Sequence, residues 1–319
     1  MIIETTGLRK SFVSRAGREK KTVEAVRGVD LQVAEGEIFG FLGPNGAGKT
    51  TTLRMLCTLI EPDGGEATIA GVSLRKNPGE VRKVIGYVAQ GGSTWDDSTA
   101  REELVLHARM YGISKVEAHR RAAEALDAFQ LAEYADRKCK TYSGGQRRRV
   151  DIALGIIHQP KVVFLDEPTT GLDPQSRAHM WEEVRKLREM GMTVFLTTHY
   201  LDEADALCDR LAIMDHGLIV AEGTPAELKQ EVLGDVVLVT LPSNNVAAAA
   251  ELLDTADYVK KLETSEESVR LYVEDGAAAI PPVLRALDAA KLSLNSIELH
   301  RPSLDDVFLA KTGRSLRES

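Results

Sequence analysis

From the N-terminus to about residue 230, apolar runs of strand length alternate with segments whose apolar residues recur at helical spacing. Residues 2–4, 29–33 and 38–42 read as strands separated by turn residues. Residues 15–21 read as a solvated hairpin tip, with a phosphate or lipid role for its four basic side chains as the alternative. Pro62, Asp63, Gly64 and Gly65 make a turn before a strand at 66–70, and a strand at 84–88 stops just before Gln90. The stretch from about 98 to 158 reads as almost wholly helical. In it, Ser114 and Glu117 stand at capping-box spacing, and Ala118, Ala122, Ala125, Leu126 and Phe129 share one helical face. A strand at 162–165, a helix at 176–189, a strand at 193–197 and a helix from Leu201 restore the alternation. This order predicts an α/β fold, a parallel sheet with a helical insert. Thr224 and Pro225 start one more helix.

Beyond Gly234 the pattern changes. A strand at 236–241, a helix at 246–254, strands near 258–262 and 269–273, a helix at 282–290 and a strand at 292–299 give the order β-α-β-β-α-β. That is the plan of a small ferredoxin-like α+β domain. Ser303, with Asp306 three residues on, opens a last helix whose Leu304, Val307 and Phe308 share a face suited to docking on the first domain or on a second copy. The expected domains are 1–230, with the insert at about 98–158, and 235–319.

Length and composition narrow the class. A chain of 319 residues has room for two domains, and 43% hydrophobic with 28% charged residues is globular composition. Disordered and collagen-like chains are excluded. With 40 Lys and Arg against 48 Asp and Glu the net charge is −8, so no nucleic-acid partner held by bulk electrostatics is expected. Cys57, Cys139 and Cys208 are far apart and in no CxxC spacing, which speaks against a disulfide framework or zinc site and fits a reducing cytosol. No window offers the ~18–20 apolar residues of a membrane span, and the N-terminus lacks the plan of a signal peptide. Any work at a membrane then needs another chain.

Residues 43–51, Gly-Pro-Asn-Gly-Ala-Gly-Lys-Thr-Thr, meet the P-loop pattern between the strand at 38–42 and a helix through Met55 and Leu59. Gly43, Gly46 and Gly48 let the backbone curl so that its N–H groups point at phosphate oxygens, and Pro44, Asn45, Ala47 and Thr51 complete the cradle. The helix N-terminus adds partial positive charge. Lys49 is expected to reach the β- and γ-phosphates, and the Thr50 hydroxyl to ligate magnesium. The second half of a phosphate-hydrolysing site is the apolar strand at 162–165 followed by Asp166 and Glu167. These carboxylates emerge at the carboxyl edge of the sheet, where open α/β sheets bind ligands. Asp166 suits water-mediated magnesium binding, and Glu167 is placed to orient and deprotonate an attacking water.

Between these two motifs stands Tyr142-Ser143-Gly144-Gly145-Gln146, which resembles the LSGGQ signature of ATP-binding cassette proteins, with Tyr for Leu. Gln90 resembles the family's Q-loop glutamine, Gly171-Leu172-Asp173-Pro174 its D-loop, His199 its switch histidine, and Phe12 the aromatic stacked on adenine. The motifs keep the family's order over residues 1–230. The run at 302–309, Pro-Ser-Leu-Asp-Asp-Val-Phe-Leu, together with Gly171 and the segment from Thr198 to Ala204, is similar to the daunorubicin-resistance type of exporter ATPase.

The resemblance implies a P-loop NTPase cassette with a mixed sheet, binding ATP and Mg2+. It places Gln90 with Thr50 and Asp166 around the metal, and Lys49, Glu167 and His199 in the chemical step. Ser143, Gly144, Gly145 and Gln146 would face the γ-phosphate bound by a second copy in a head-to-tail dimer, with Asp173 coupling the two sites. It also implies ATP-driven export of drugs, antibiotics or lipids through a separate permease, at the cytoplasmic side of the cell membrane. The alternative is a non-transport ATP switch of translation or DNA repair, against which stand the single cassette and the lack of a heptad-patterned insertion. The expected permease contact runs from Gln90 to about Gly112, with Trp95 either an exposed anchor or packed beneath the loop. Arg147, Arg148 and Arg149 read as solvated or interdomain helix positions with no catalytic role. Residues 235–319 carry no phosphate loop and are expected to serve assembly or regulation, ligand sensing included.

Overall fold

The structure, a computed structural model, describes residues 1–16, 19–231 and 234–314, with the side chains of residues 14–21 left aside. The expected hairpin tip at 15–21 therefore falls outside the described side chains. The chain divides into two compact units, Met1–Glu222 and Gly223–Ser319.

In the first unit, β1 (Ile3–Ala16), β2 (Glu19–Val33), β3 (Ile38–Leu42), α1 (Lys49–Leu56), β4 (Gly64–Ile69), β5 (Val72–Ser73), α2 (Pro78–Val84) and β6 (Ile85–Val88) follow one another. The helical insert is α3 (Ala100–Met110), α4 (Lys115–Ala128) and α5 (Gly144–Ile156). After it come β7 (Val162–Asp166), α6 (Pro174–Glu189), β8 (Thr193–Thr198), α7 (Leu201–Leu207), β9 (Arg210–Asp215) and β10 (Leu218–Gly223). Among the described residues β1 and β2 join β4 and β5 in an antiparallel sheet, ordered β2-β1-β4-β5. A second sheet, ordered β10-β9-β3-β8-β7-β6, pairs β6 with β7, β7 with β8, and β3 with both β8 and β9 in parallel.

Every residue of β3, β7 and β8 is buried, which is why these strands read as near-continuous apolar runs. Their core is aromatic. The fully buried ring of Phe195 lies 5.6, 5.2 and 5.5 Å from those of Phe39, Phe41 and Phe164. Register brings Leu42 opposite Thr198, and Asp166 opposite Thr197, so the three strands end level at one edge of the sheet.

Local signals in the insert differ in part from the sequence reading. Ser114 accepts the Glu117 N–H at 3.3 Å, but the reciprocal half of the expected capping box is not made. The Glu117 carboxylate instead receives Arg120 and Arg121, whose charge-assisted bonds win over a neutral amide and draw it down to about 2. Complete capping boxes form at Thr99 with Glu102 and at Ser143 with Gln146.

The second unit contains α8 (Pro225–Glu231), β11 (Asp235–Thr240), α9 (Ser243–Asp254), β12 (Val259–Thr264), β13 (Ser268–Val273), α10 (Gly276–Ala289), β14 (Ser296–His300) and α11 (Leu304–Thr312). The sheet is antiparallel in the order β12-β13-β11-β14. Val237, Val239, Val269, Leu271 and Val273 alternate onto one face and are buried with Leu253 of α9 and Val283 and Leu287 of α10. Helix α10 begins six residues before Pro282, because Asp275 caps it by accepting the Ala278 N–H at 3.0 Å. Its end explains the late start of β14: Lys291 turns left-handed at φ 55° and the Leu292 N–H closes on Leu287 O. Helix α11 has the full Ser303–Asp306 capping box, buries Leu304, Val307 and Phe308, and packs on α8 with Lys311 2.9 Å from Glu231. Cys57, Cys139 and Cys208 are free and buried.

Candidate nucleotide site

At the level edge of β3, β7 and β8 the chain forms a cavity of about 470 Å³, lined by Phe12, Ala25, Asn45, Gly46, Ala47, Gly48, Lys49, Thr50, Thr51, Gln90 and Glu167. The loop after β3 turns back tightly. A Cβ on Gly43 would stand 2.2 Å from Met214 O, and one on Gly48, at φ 108°, 2.3 Å from Ala25 O. Only glycine fits at both positions. The buried Lys49 Nζ donates to Gly43 O at 2.6 Å and Pro44 O at 3.0 Å, and burial lowers its pKa against the pull of Glu167 and Asp166.

Asp166 is buried under the loop. Its Oδ1 accepts the hydroxyls of Thr50 at 2.9 Å and Thr197 at 2.7 Å, while Oδ2 is buried with no hydrogen-bond partner. A buried carboxylate oxygen without a donor, beside a hydroxyl, fits a bound cation or its water. Among the described residues no cluster of His, Cys and carboxylates could enclose a metal alone, so such an ion would rely on phosphate oxygens as well.

Glu167 is left-handed at φ 45°, a conformation that side-chain-bearing residues seldom adopt and that often marks functional sites. Its N–H donates to Thr197 O and Oγ1, both at 3.1 Å. Its Oε2 accepts Gln90 Nε2 at 2.9 Å and the Thr170 hydroxyl at 3.1 Å. Lys49 Nζ lies 3.8 Å from Oε1, and His199 Nδ1 lies 3.3 Å from Oε2 without the alignment of a hydrogen bond. Burial pushes this carboxyl up, but His199, Lys49 and Thr170 together outweigh it and hold it below its usual value. It is therefore a carboxylate at neutral pH, able to accept a proton.

The signature residues line a different cavity of about 170 Å³, with Ser143, Gly145, Gln146 and Arg149 on one side and Gln175, Ser176, His179 and Met180 on the other. Ser143 caps α5, and Gln146 Oε1 turns back to accept the Ser143 N–H at 2.9 Å. Asp173 caps α6, accepting the Ser176 N–H at 2.9 Å and its hydroxyl at 2.6 Å. The structure thus gathers Phe12, the P-loop, Gln90, Asp166, Glu167 and His199 at one place. Ser143, Gly145 and Gln146 stand at another, beside Ser176, the residue that Asp173 binds.

One expectation needs correcting. Arg148 is neither solvated nor interdomain: it is 6% exposed, and its guanidinium donates to Ala89 O, Asp166 O and Pro168 O, carbonyls that lie at or just past the ends of β6 and β7. Sequence reasoning also passed over Thr197, Thr170 and Asp151. Thr197 stands directly opposite Asp166 in the β7–β8 register, a relation that only strand pairing creates.

Residues 26–170 match the ABC transporter family, and residues 223–312 match the C-terminal domain of DrrA1-3-like ATP-binding proteins. The chain is 44% identical to the daunorubicin/doxorubicin resistance ATP-binding protein DrrA of Streptomyces peucetius, over 98% of this chain and 92% of that protein. It belongs to the ABC transporter family. The linearmycin resistance ATP-binding protein LnrL of Bacillus subtilis is similar too, 37% identical over 94% of this chain and 96% of that one. An ATP-binding cassette solved as a dimer in a post-hydrolysis state with ADP and Pi superposes with a TM-score of 0.62 at 28% identity, covering 70% of this chain and 98% of the cassette. This ABC subunit binds and hydrolyses ATP to drive transport, and among its described residues no helix is long and apolar enough to cross a membrane.

Proposed function

We propose that this ABC ATPase powers efflux of drug-like or antibiotic molecules through a separate permease, working as a head-to-tail dimer at the cytoplasmic side of the membrane. The cargo class rests on the resistance roles named for its full-length relatives, which favour transport over a translation or repair switch.

The observation that carries the dimer is the state of the signature glycines. Beyond its own turn of helix, a Cβ on Gly144 would come no nearer than 3.8 Å to another atom (Leu172 Cδ2), and one on Gly145 no nearer than 3.5 Å (Ser176 Oγ). The chain's own packing does not require glycine there, and glycine in a helix costs roughly 1 kcal/mol relative to Ala. Bare backbone N–H groups at the start of α5 suit the close approach of an anion, and the γ-phosphate held by a second copy is that anion.

In each completed site the P-loop N–H groups and Lys49 bind the phosphates, and Phe12, 45% exposed, offers its ring to the adenine. Thr50, Asp166 and Gln90 would hold magnesium, which when bound neutralises phosphate charge. Gln90 and Glu167 orient the attacking water, and Glu167 takes its proton as the oxygen bonds to the γ-phosphorus, while the bond from that phosphorus to the β–γ bridging oxygen breaks and ADP leaves with its electron pair. His199 keeps Glu167 in place and reaches the γ-phosphate, while Asp173 fixes the start of α6 beside the signature cavity. Trp95, 73% exposed, together with the exposed Leu106 and Met110 of α3, offers the permease its anchor.

Glu167→Gln tests the reading. The variant is expected to bind ATP with unchanged affinity, to lose at least about 100-fold in turnover, and to run as a dimer on size exclusion with ATP. Near-normal hydrolysis would remove Glu167 from the chemistry, and a monomer at saturating ATP would remove the sandwich. Inverted vesicles carrying the permease should take up daunorubicin in an ATP-dependent manner; uptake of no drug tested would refute the cargo class.

A further inference from the structure

Helix α5 carries the signature at its N-terminus and, one and two turns on, two buried charged residues that the mechanism above does not use. Arg148 and Asp151 are 6% and 3% exposed and stand three residues apart, on one helix face. Arg148 forks to three backbone carbonyls: Nη1 to Ala89 O at 2.5 Å, Nη2 to Asp166 O at 3.1 Å and Nε to Pro168 O at 2.9 Å. Asp151 Oδ1 accepts the Ser93 N–H at 2.8 Å and the Ser93 hydroxyl at 3.1 Å. A Cβ on Gly92, at φ 73°, would lie 3.0 Å from Asp151 Oδ2, so the loop passes close to the carboxylate.

These contacts fall in a pattern. Ala89 and Ser93 bracket Gln90, and both are fastened to α5. Asp166 and Pro168 bracket Glu167, and both are fastened to Arg148. The two bracketed side chains then bond each other at 2.9 Å. Burying a guanidinium and a carboxylate is costly unless each is well satisfied, and a leucine pair would fill the space more cheaply. Burial pulls the Arg148 pKa down and the Asp151 pKa up, and each opposes the other's shift as a nearby opposite charge.

We propose that Arg148 and Asp151 are positioning residues that tie the signature helix to Gln90 and Glu167 of the same chain, so that nucleotide seated on the start of α5 sets the alignment of the water-activating pair. The idea rests on the sandwich reading above. A rigid helix fastened to both brackets carries a displacement of its N-terminus to Gln90 and Glu167 together, giving each protomer's hydrolysis a dependence on its partner's ATP.

The test uses the full chain. Asp151→Ala should lower kcat at least tenfold with KM and the Kd for a non-hydrolysable ATP analogue within twofold, and should speed amide exchange at Ser93 at least tenfold. Arg148→Lys should lower kcat to a similar degree, since an ammonium cannot fork to three carbonyls. Asp151→Asn keeps the Oδ1 acceptor and should restore most of the kcat lost in the alanine variant. If Asp151→Ala does not fold, Arg148→Lys and the exchange of Ser93 in Asp151→Asn decide the matter. Folded variants with kcat within twofold of wild type would overturn the proposal. So would parallel losses of kcat and nucleotide affinity, the mark of lost packing alone. Gly144→Asp separates the two readings, because it puts a carboxylate where the partner's phosphate would sit. Turnover surviving Gly144→Asp would sink the sandwich and this inference with it; turnover lost there but intact in the Arg148 and Asp151 variants would sink this inference only.

Discussion

Lys49 and Glu167 face each other across 3.8 Å, both buried, and each depends on the other's charge. Lys49→Ala therefore removes the cation nearest the phosphates and also one of the forces keeping Glu167 ionised. We expect hydrolysis to fall at least about 100-fold and ATP affinity about tenfold, read by phosphate release and by equilibrium titration of a fluorescent ATP analogue. Full activity with unchanged affinity would contradict the site. Glu203 makes a second prediction. It is fully buried, its oxygens lack well-formed hydrogen bonds, and burial raises its carboxyl against the pull of nearby Thr198, Thr169 and Trp181. A raised folded value means that the folded state keeps a proton the unfolded chain has released. This group's stabilisation is thus complete below the ordinary carboxylate range and is lost as pH rises through the raised value. Glu203→Gln abolishes that loss, so its stability relative to wild type should climb as pH rises across that window, as measured by denaturant melts at a series of pH values. A flat difference would refute the assignment.

The strands set the site by ending together, and an aromatic cluster packs the core against them. Phe195→Ala opens a cavity among Phe39, Phe41 and Phe164 and should cost about 3–5 kcal/mol in urea unfolding of the first unit. A cost under about 1 kcal/mol would mean that the cluster relaxes freely. At the start of α5 the capping box does a different job: Gln146 fixes the Ser143 N–H while the N–H groups of Gly144 and Gly145 stay free of it. Gln146→Ala should lower stability by about 1 kcal/mol and raise the ATP concentration needed for dimerisation, as followed by light scattering. Dimerisation unchanged at lowered stability would leave Gln146 a cap and nothing more.

The two units divide the labour. Every group that touches the nucleotide pocket or the signature cavity lies before residue 222. The second unit has its own core and a groove of about 380 Å³ beside Val236, Leu238, Arg270 and Tyr272, with no glycine-rich phosphate loop. We expect a chain ending at Gly223 to bind ATP with a Kd within about twofold of the full chain while losing permease assembly, dimer stability or both, as judged by pull-down and sedimentation. A folded truncation that no longer binds ATP would show that the division is wrong. The apolar face of α11, legible as Leu304, Val307 and Phe308, finds its cover on α8 inside the same unit.

Sequence alone determined the parts whose chemistry is local. The P-loop glycines, the apolar strand before Asp166 and Glu167, and the serine caps at 143 and 303 are each written in a few consecutive residues, because turn geometry, strand burial and capping act over one or two turns of chain. The β-α-β-β-α-β order of the second unit was legible for the same reason. What required tertiary structure was everything set by register and burial. Thr197 meets Asp166 because parallel β7 and β8 place them side by side, and Glu167 adopts φ 45° because its N–H must reach Thr197. The arginine run at 147–149 reads as three equivalent charges, yet a helix turns about 100° per residue, and only the middle one points under the sheet edge to the carbonyls of 89, 166 and 168. Glu117 fits a capping box in sequence and is taken by two arginines in space, since a charged donor within reach outweighs a neutral one at the right spacing.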